Sequence, residues 1–186
     1  MKIVYLHGFQ SSPHSRKAII LQTYMQKIGR GDDFIAPFLP FDPKEARATI
    51  EKTLPDGENI TLVGSSLGGF YATYFAEQYN LKAVLINPAV HAHQLITPGY
   101  WKNELTGEET YFTPMMQEAL AQMDVKYLSY PERFFLLIEK GDEVLDYRQA
   151  LAFYEGARQI VLEGGDHSFT RFDDYLDAII QFTEES

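Results

Sequence analysis

Cysteine is absent from this chain. That excludes a disulfide scaffold, Cys-ligated zinc, an iron–sulfur cluster and a thiol nucleophile, and it fits a reducing, cytoplasmic setting. Long hydrophobic runs are also missing. None approaches the roughly 18 residues that a membrane span requires, and since an apolar run begins two positions after Met1, no charged leader with a cleavage site is expected. Basic residues are scarce: 16 Lys and Arg stand against 26 Asp and Glu, a net charge of -10. Such a surface repels polyphosphates, so no nucleic-acid partner is expected. The segment from Glu163 to Ser186 carries seven acidic residues and only Arg171 as a base, which reads as a solvated helix face. The Gly-rich segments lack the Lys-Ser/Thr of a P-loop, and G-x-G-x-x-G does not occur, so no nucleotide cofactor is expected.

What is present is one globular domain over 1–186, with 45% hydrophobic and 14% aromatic residues to build its core. Short apolar runs alternate with segments of helical period throughout, the signature of a parallel sheet flanked by helices. The expected strands are Ile3–Leu6, Phe34–Phe38, Ile60–Val63, Ala83–Ile86, Phe134–Ile138 and Ile160–Leu162. They lack polar alternation, as strands buried on both faces do. Ala18, Leu21, Tyr24, Met25 and Ile28 fall on one helical face, as do Leu67, Phe70, Tyr71, Tyr74 and Phe75, and again Phe172, Tyr175, Leu176, Ile179 and Ile180. Asp42-Pro43-Lys44-Glu45 opens a further helix as N-cap, N1 proline and capping-box glutamate. Residues 87–133 interrupt this rhythm. The segment is rich in Pro, Tyr and Met, contains one expected helix near Met115–Met123, and has the length of a functional lid inserted after the fourth strand.

The chemistry begins after the third strand, where Gly64-Ser65-Ser66-Leu67-Gly68 reads G-x-S-x-G between a strand and a helix. Glycines at 64 and 68 allow a turn tight enough to lift the Ser66 hydroxyl above the sheet edge. The alternative is a bare Gly/Ser helix cap with no chemistry, which the strand before and the helix after together disfavour. A serine needs a base. Among five histidines, His167 stands in Gly164-Gly165-Asp166-His167-Ser168-Phe169 just after the last strand, at the edge where the loops of a parallel sheet converge. The acid that orients it is expected at Asp142, the first carboxylate after Gly141 in Glu139–Asp146, with Asp146 capping the helix that begins at Tyr147. The order Ser66, Asp142, His167 is that of an α/β-hydrolase. Oxyanion donors are expected from the Leu67 amide and, in the loop His7–Pro13, from the Phe9 amide or alternatively Gln10. His7 is read as a staple of that loop. His91-Ala92-His93 lacks a nearby carboxylate cluster, so no metal site is expected. Ile96, Tyr100, Trp101, Leu105, Phe112, Met115 and Met116 are too many apolar side chains for a solvated loop and are expected to line an acyl pocket.

Through HGFQSSP, GSSLGGFYA, LINPAV, LTGEETYF, KGDEVLDYRQA and GGDHSF the chain resembles the YqiA-type esterases over nearly its whole length. The resemblance implies a minimal α/β-hydrolase fold that lacks the first two strands of larger relatives, and the six expected strands are placed in one parallel sheet in the order 2-1-3-4-5-6. It also implies Ser66, Asp142 and His167 as the triad, with esterase activity on small-molecule acyl esters or acyl-CoA thioesters. The acidic surface opposes CoA phosphates, with Arg16 and Lys17 as local exceptions near the oxyanion loop. A non-catalytic binding protein on the same scaffold is the alternative of a different class.

Overall fold

Alternate residues of the first strand point to opposite faces of the sheet, and both sets are apolar. Ile3 and Tyr5 enter one core cluster, Val4 and Leu6 the other. The computed structural model describes residues 1–55, 59–103 and 106–185. In chain order its strands are β1 (Lys2–Leu6), β2 (Phe34–Ile35), β3 (Ile60–Ser65), β4 (Lys82–Ile86), β5 (Gly99–Lys102), β6 (Glu109–Phe112), β7 (Phe134–Glu139) and β8 (Arg158–Leu162). Six of them form one parallel sheet, β2-β1-β3-β4-β7-β8. Counting only its own strands, that is the expected order 2-1-3-4-5-6. The second strand is shorter than expected. It ends at Ile35, two residues before Pro37, which has no N–H to give to a ladder.

The helices are α1 (Arg16–Lys27), α2 (Pro43–Thr53), α3 (Leu67–Tyr79), α4 (Ala92–Leu95), α5 (Pro114–Gln122), α6 (Tyr147–Phe153) and α7 (Leu176–Glu184). Ala18, Leu21 and Met25 of α1 and Ile179, Ile180 and Phe182 of α7 cover one face, against Val63, Val84, Phe135 and Leu137. Ala46 and Ile50 of α2, Phe70, Ala72 and Phe75 of α3 and Ala150 of α6 cover the other. Each fully buried Ile, Leu or Phe contributes about 1.5–3 kcal/mol. The N-caps follow the sequence, Asp42 Oδ1 accepting from the Lys44 amide at 2.7 Å and Asp146 Oδ1 from that of Arg148 at 3.0 Å, but the capping-box bond expected of Glu45 is not among the contacts of α2. The acidic C-terminal segment is partly paired across the surface, Asp173 with Arg16, Glu184 with Arg30 and Glu185 with Arg158. It is therefore less of an open solvated face than its composition implies.

The 87–133 insertion holds more structure than one helix. β5 and β6 form an antiparallel hairpin, with Tyr100 and Tyr111 in edge contact on its outer side, and α4 precedes it. Four-residue strands with one solvated face leave little periodic signal, which hid them in the sequence. The expected helix is α5, capped by the Thr113 hydroxyl, which accepts from the Met116 amide at 3.1 Å. Among the described residues no helix is long and apolar enough to cross a membrane.

Candidate active site

The strand ends Leu6, Ser65, Ile86, Glu139 and Leu162 reach the same edge of the sheet, because parallel pairing keeps them in step. Every expected catalytic side chain follows one of these ends. After β3 the chain turns sharply at Ser66, whose φ of 55° and ψ of -119° lie outside helix and strand alike. A non-glycine residue in this region is strained and is held there by its surroundings. The surroundings demand glycine on both sides. A Cβ at position 64 would collide with the Gly68 carbonyl, and one at 68 with the Leu6 carbonyl of β1. The motif therefore packs helix α3 directly on the sheet and leaves the Ser66 hydroxyl at the edge.

His167 Nε2 stands 3.0 Å from Ser66 Oγ, and His167 Nδ1 stands 2.8 Å from Asp142 Oδ2. The Asp142 side chain is only 2% exposed. Its other oxygen, Oδ1, accepts from the amides of Val144 and Leu145, each at 2.8 Å. Burial alone would raise the Asp142 pKa. The hydrogen bonds from His167, Leu145 and Val144 outweigh it and hold the carboxyl below its usual range. Asp146, by contrast, is spent on the cap of α6.

The histidine loop is fastened by residues that sequence reasoning did not single out. Glu139, fully buried at the end of β7, accepts the Asp166 amide at 2.8 Å and the Arg171 Nε–H at 2.6 Å. Asn87, at the end of β4, donates to the Asp166 and His167 carbonyls at 3.0 and 3.2 Å and accepts the Glu139 amide. Glu143 accepts the His167 amide at 3.0 Å. The only sequence signal for this network was a carboxylate at the close of an otherwise apolar strand.

The two expected oxyanion donors flank Ser66. Among the described residues neither the Phe9 nor the Leu67 amide donates a hydrogen bond within the protein, and the Leu67 amide opens α3, where the helix dipole favours negative charge. Phe9 lines both cavities that reach Ser66. Gln10 lines neither, and it ties its loop to the hairpin by donating to the Trp101 carbonyl and accepting from Asn103. His7 is the expected staple. Its Nδ1–H donates to the Gly8 carbonyl at 2.9 Å and its Nε2 accepts from Leu39 at 2.9 Å, a neutral tautomer that burial favours by lowering its pKa.

An apolar cavity of about 200 Å³ opens at Ser66, walled by Leu67, Ala89, Ala92, Leu95, Ile96, Trp101, Val144 and Leu145. Of the seven expected pocket residues, Ile96 and Trp101 are here. Tyr100 and Met115 are instead 77% and 71% exposed. Phe112 is buried beneath the rings of Phe9 and Phe41 and Met116 packs against the core, so both support the wall from behind. Leu105 lies outside the described residues. Val144 and Leu145 come from the Asp142 loop and were not anticipated, because the apolar lining was sought within one insertion. His91 and His93 do meet a carboxylate. Asp124 is hydrogen-bonded to His91 Nδ1 at 2.9 Å, pinning the start of α4 to the end of α5, while His93 Nδ1 stands 3.8 Å away without a hydrogen bond. Among the described residues no group of three or more His, Asp or Glu side chains is arranged to hold a metal ion.

Comparisons with known proteins agree with this architecture. The mouse α/β-hydrolase domain-containing protein 10 superposes with a TM-score of 0.74 at 16% identity, over 97% of this chain and 88% of that one. Est1E from Butyrivibrio proteoclasticus superposes with a TM-score of 0.69 at 13% identity, over 98% and 88%. The fold is thus that of the α/β-hydrolases. In sequence, a UPF0227 protein of Vibrio parahaemolyticus is 22% identical over 184 residues, covering 97% of this chain and 98% of the relative. One from Vibrio atlanticus is 23% identical over 189 residues, with the same coverage. The family model described as Uncharacterised protein family (UPF0227) matches residues 2–184, and the chain belongs to that family, in keeping with its YqiA-type motifs.

Proposed function

We propose that this protein is a serine esterase that hydrolyses small-molecule carboxylic esters through an acyl-enzyme. The observation that carries the reading is the hydrogen-bonded chain Ser66–His167–Asp142 at the mouth of an apolar cavity. His167 takes the Ser66 proton as Oγ bonds to the ester carbonyl carbon. The tetrahedral oxyanion is held by the Phe9 and Leu67 amides, and Asp142 stabilises the imidazolium. Collapse breaks the bond to the leaving oxygen, which receives the proton from His167. Water activated by His167 then releases the acid and restores Ser66. No cofactor takes part in this scheme. The acyl chain lies in the cavity under the 87–133 insertion, which serves as the lid of one hydrolase domain over 1–186. A cavity of about 150 Å³ holds benzene, so one of about 200 Å³ suits a short acyl chain.

The test is hydrolysis of p-nitrophenyl butyrate by Ser66→Ala. The variant should remain folded by circular dichroism and lose about 10⁴-fold or more in kcat. Retention of a tenth of the wild-type rate by a purified variant would overturn the proposal.

A further inference from the structure

Two cavities meet at Ser66, and their chemistry is opposite. Beyond the apolar one lies a second, of about 170 Å³, lined mainly by the polar residues Tyr5, Ser11, Ser15, Lys17, Ser65 and Ser168, with Phe9 shared between the two. His167 lines this polar cavity and is absent from the lining of the apolar one. In ester hydrolysis the group that hands a proton to the leaving oxygen must face the leaving group. The polar cavity therefore stands on the leaving-group side of Ser66, an assignment that rests on the serine-hydrolase reading above.

We propose that this cavity is the leaving-group subsite, and that Lys17 makes the enzyme selective for esters whose alcohol carries an anionic group, a carboxylate or a phosphate. Lys17 reaches the cavity from the first turn of α1, and one of its three N–H donors goes to the Ser168 carbonyl at 2.7 Å. Two donors remain for a ligand. The other nearby cation, Arg16, is occupied by the Thr170 carbonyl and Asp173. Burial draws the Lys17 pKa down to about 8, with the Arg16 charge adding to the effect and Asp166 and Glu139 opposing it. A cation that is poorly solvated gains more from an anion than a surface lysine does. The Tyr5 phenol, pushed up to about 12 by burial against the opposing effect of the Ser15 and Ser65 hydroxyls, stays a neutral donor. At roughly 30 Å³ per water-sized group, the space suits an alcohol of about six non-hydrogen atoms.

The experiment compares butyryl esters of 3-hydroxypropanoate, of its neutral amide 3-hydroxypropanamide, and of 2-hydroxyethyl phosphate, with acid release followed at neutral pH. At least one anionic ester should exceed the amide ester in kcat/KM by about tenfold or more, the scale of a hydrogen bond to a charged group, and which one does so tells carboxylate from phosphate. In Lys17→Gln that ratio should fall close to unity. A wild-type ratio near unity for both anions, or a ratio undiminished in Lys17→Gln, overturns the proposal while Ser66 still reacts with a fluorophosphonate. If Lys17→Gln does not fold, the wild-type ratio alone decides. If no ester turns over and Ser66 does not react, the hydrolase reading fails and this inference falls with it.

Discussion

Replacing Asp142 by asparagine separates the chemistry of this carboxylate from its packing. Oδ1 already accepts two backbone amides, from Val144 and Leu145 at 2.8 Å each, and Oδ2 faces His167 Nδ1 at 2.8 Å. An asparagine side chain keeps its carbonyl oxygen toward the two amides, because turning it round would set N–H against N–H. Its NH₂ then points at Nδ1, which must become the acceptor. The imidazole proton moves to Nε2, 3.0 Å from Ser66 Oγ, and the base becomes a donor. Loss of the correct tautomer should lower kcat about 10⁴-fold, whereas stability should fall by only about 1–2 kcal/mol, since both amide hydrogen bonds survive and the one to Nδ1 is reversed and loses its charge. Asp146→Asn is the counterpart: it still caps α6, asparagine caps as well as aspartate, and stability should stay within about 0.5 kcal/mol. Ester hydrolysis and urea unfolding of both variants provide the assay. A larger rate loss in Asp146→Asn, or an Asp142→Asn enzyme within tenfold of wild type, would refute the argument.

The apolar cavity predicts that Ile96→Trp and Leu145→Trp shift preference toward shorter acyl chains in a series of p-nitrophenyl esters, whereas Tyr100→Ala and Met115→Ala, at exposed positions, leave it alone. Glu139→Ala leaves Arg171 and the Asp166 amide without their shared acceptor, so the His167 loop should lose order. We expect kcat to fall at least tenfold, with earlier exchange of the Asp166 and His167 amides in hydrogen–deuterium exchange. Because the folded Asp142 carboxyl lies below its unfolded value of about 3.9, its contribution is fully present above that pH and disappears as pH falls through the folded pKa. Urea unfolding across that acidic window should therefore show a shallower loss of stability in Asp142→Asn than in wild type.

What could be read in the sequence was whatever depends on local pattern. The doubly buried strands announced themselves as unbroken apolar runs, and Gly64 and Gly68 marked the turn because the close approach of α3 to β1 admits nothing larger. Loops after parallel strands share one edge, so Ser66, Asp142 and His167 could be brought together from their places in the chain alone. Arrangements made by distant partners were not legible. Asn87 and Glu139 serve the His167 loop 79 and 27 residues away, respectively, and no spacing records that. Tyr100 and Met115 look like pocket residues by type, but the pleat of a four-residue strand and the first turn of α5 direct them outward. Val144 and Leu145 carry no pattern in the sequence that assigns them a role. Their amides fix Asp142 while their side chains close the apolar cavity.

The central claim, that Ser66 is a nucleophile activated by His167, is tested most directly by reacting the folded protein with a fluorophosphonate and mapping the adduct by peptide mass spectrometry. The account predicts one adduct per chain, on Ser66, absent from Ser66→Ala and strongly slowed in His167→Ala. No adduct on the folded wild-type protein, or labelling of Ser66 at an unchanged rate without His167, would contradict it.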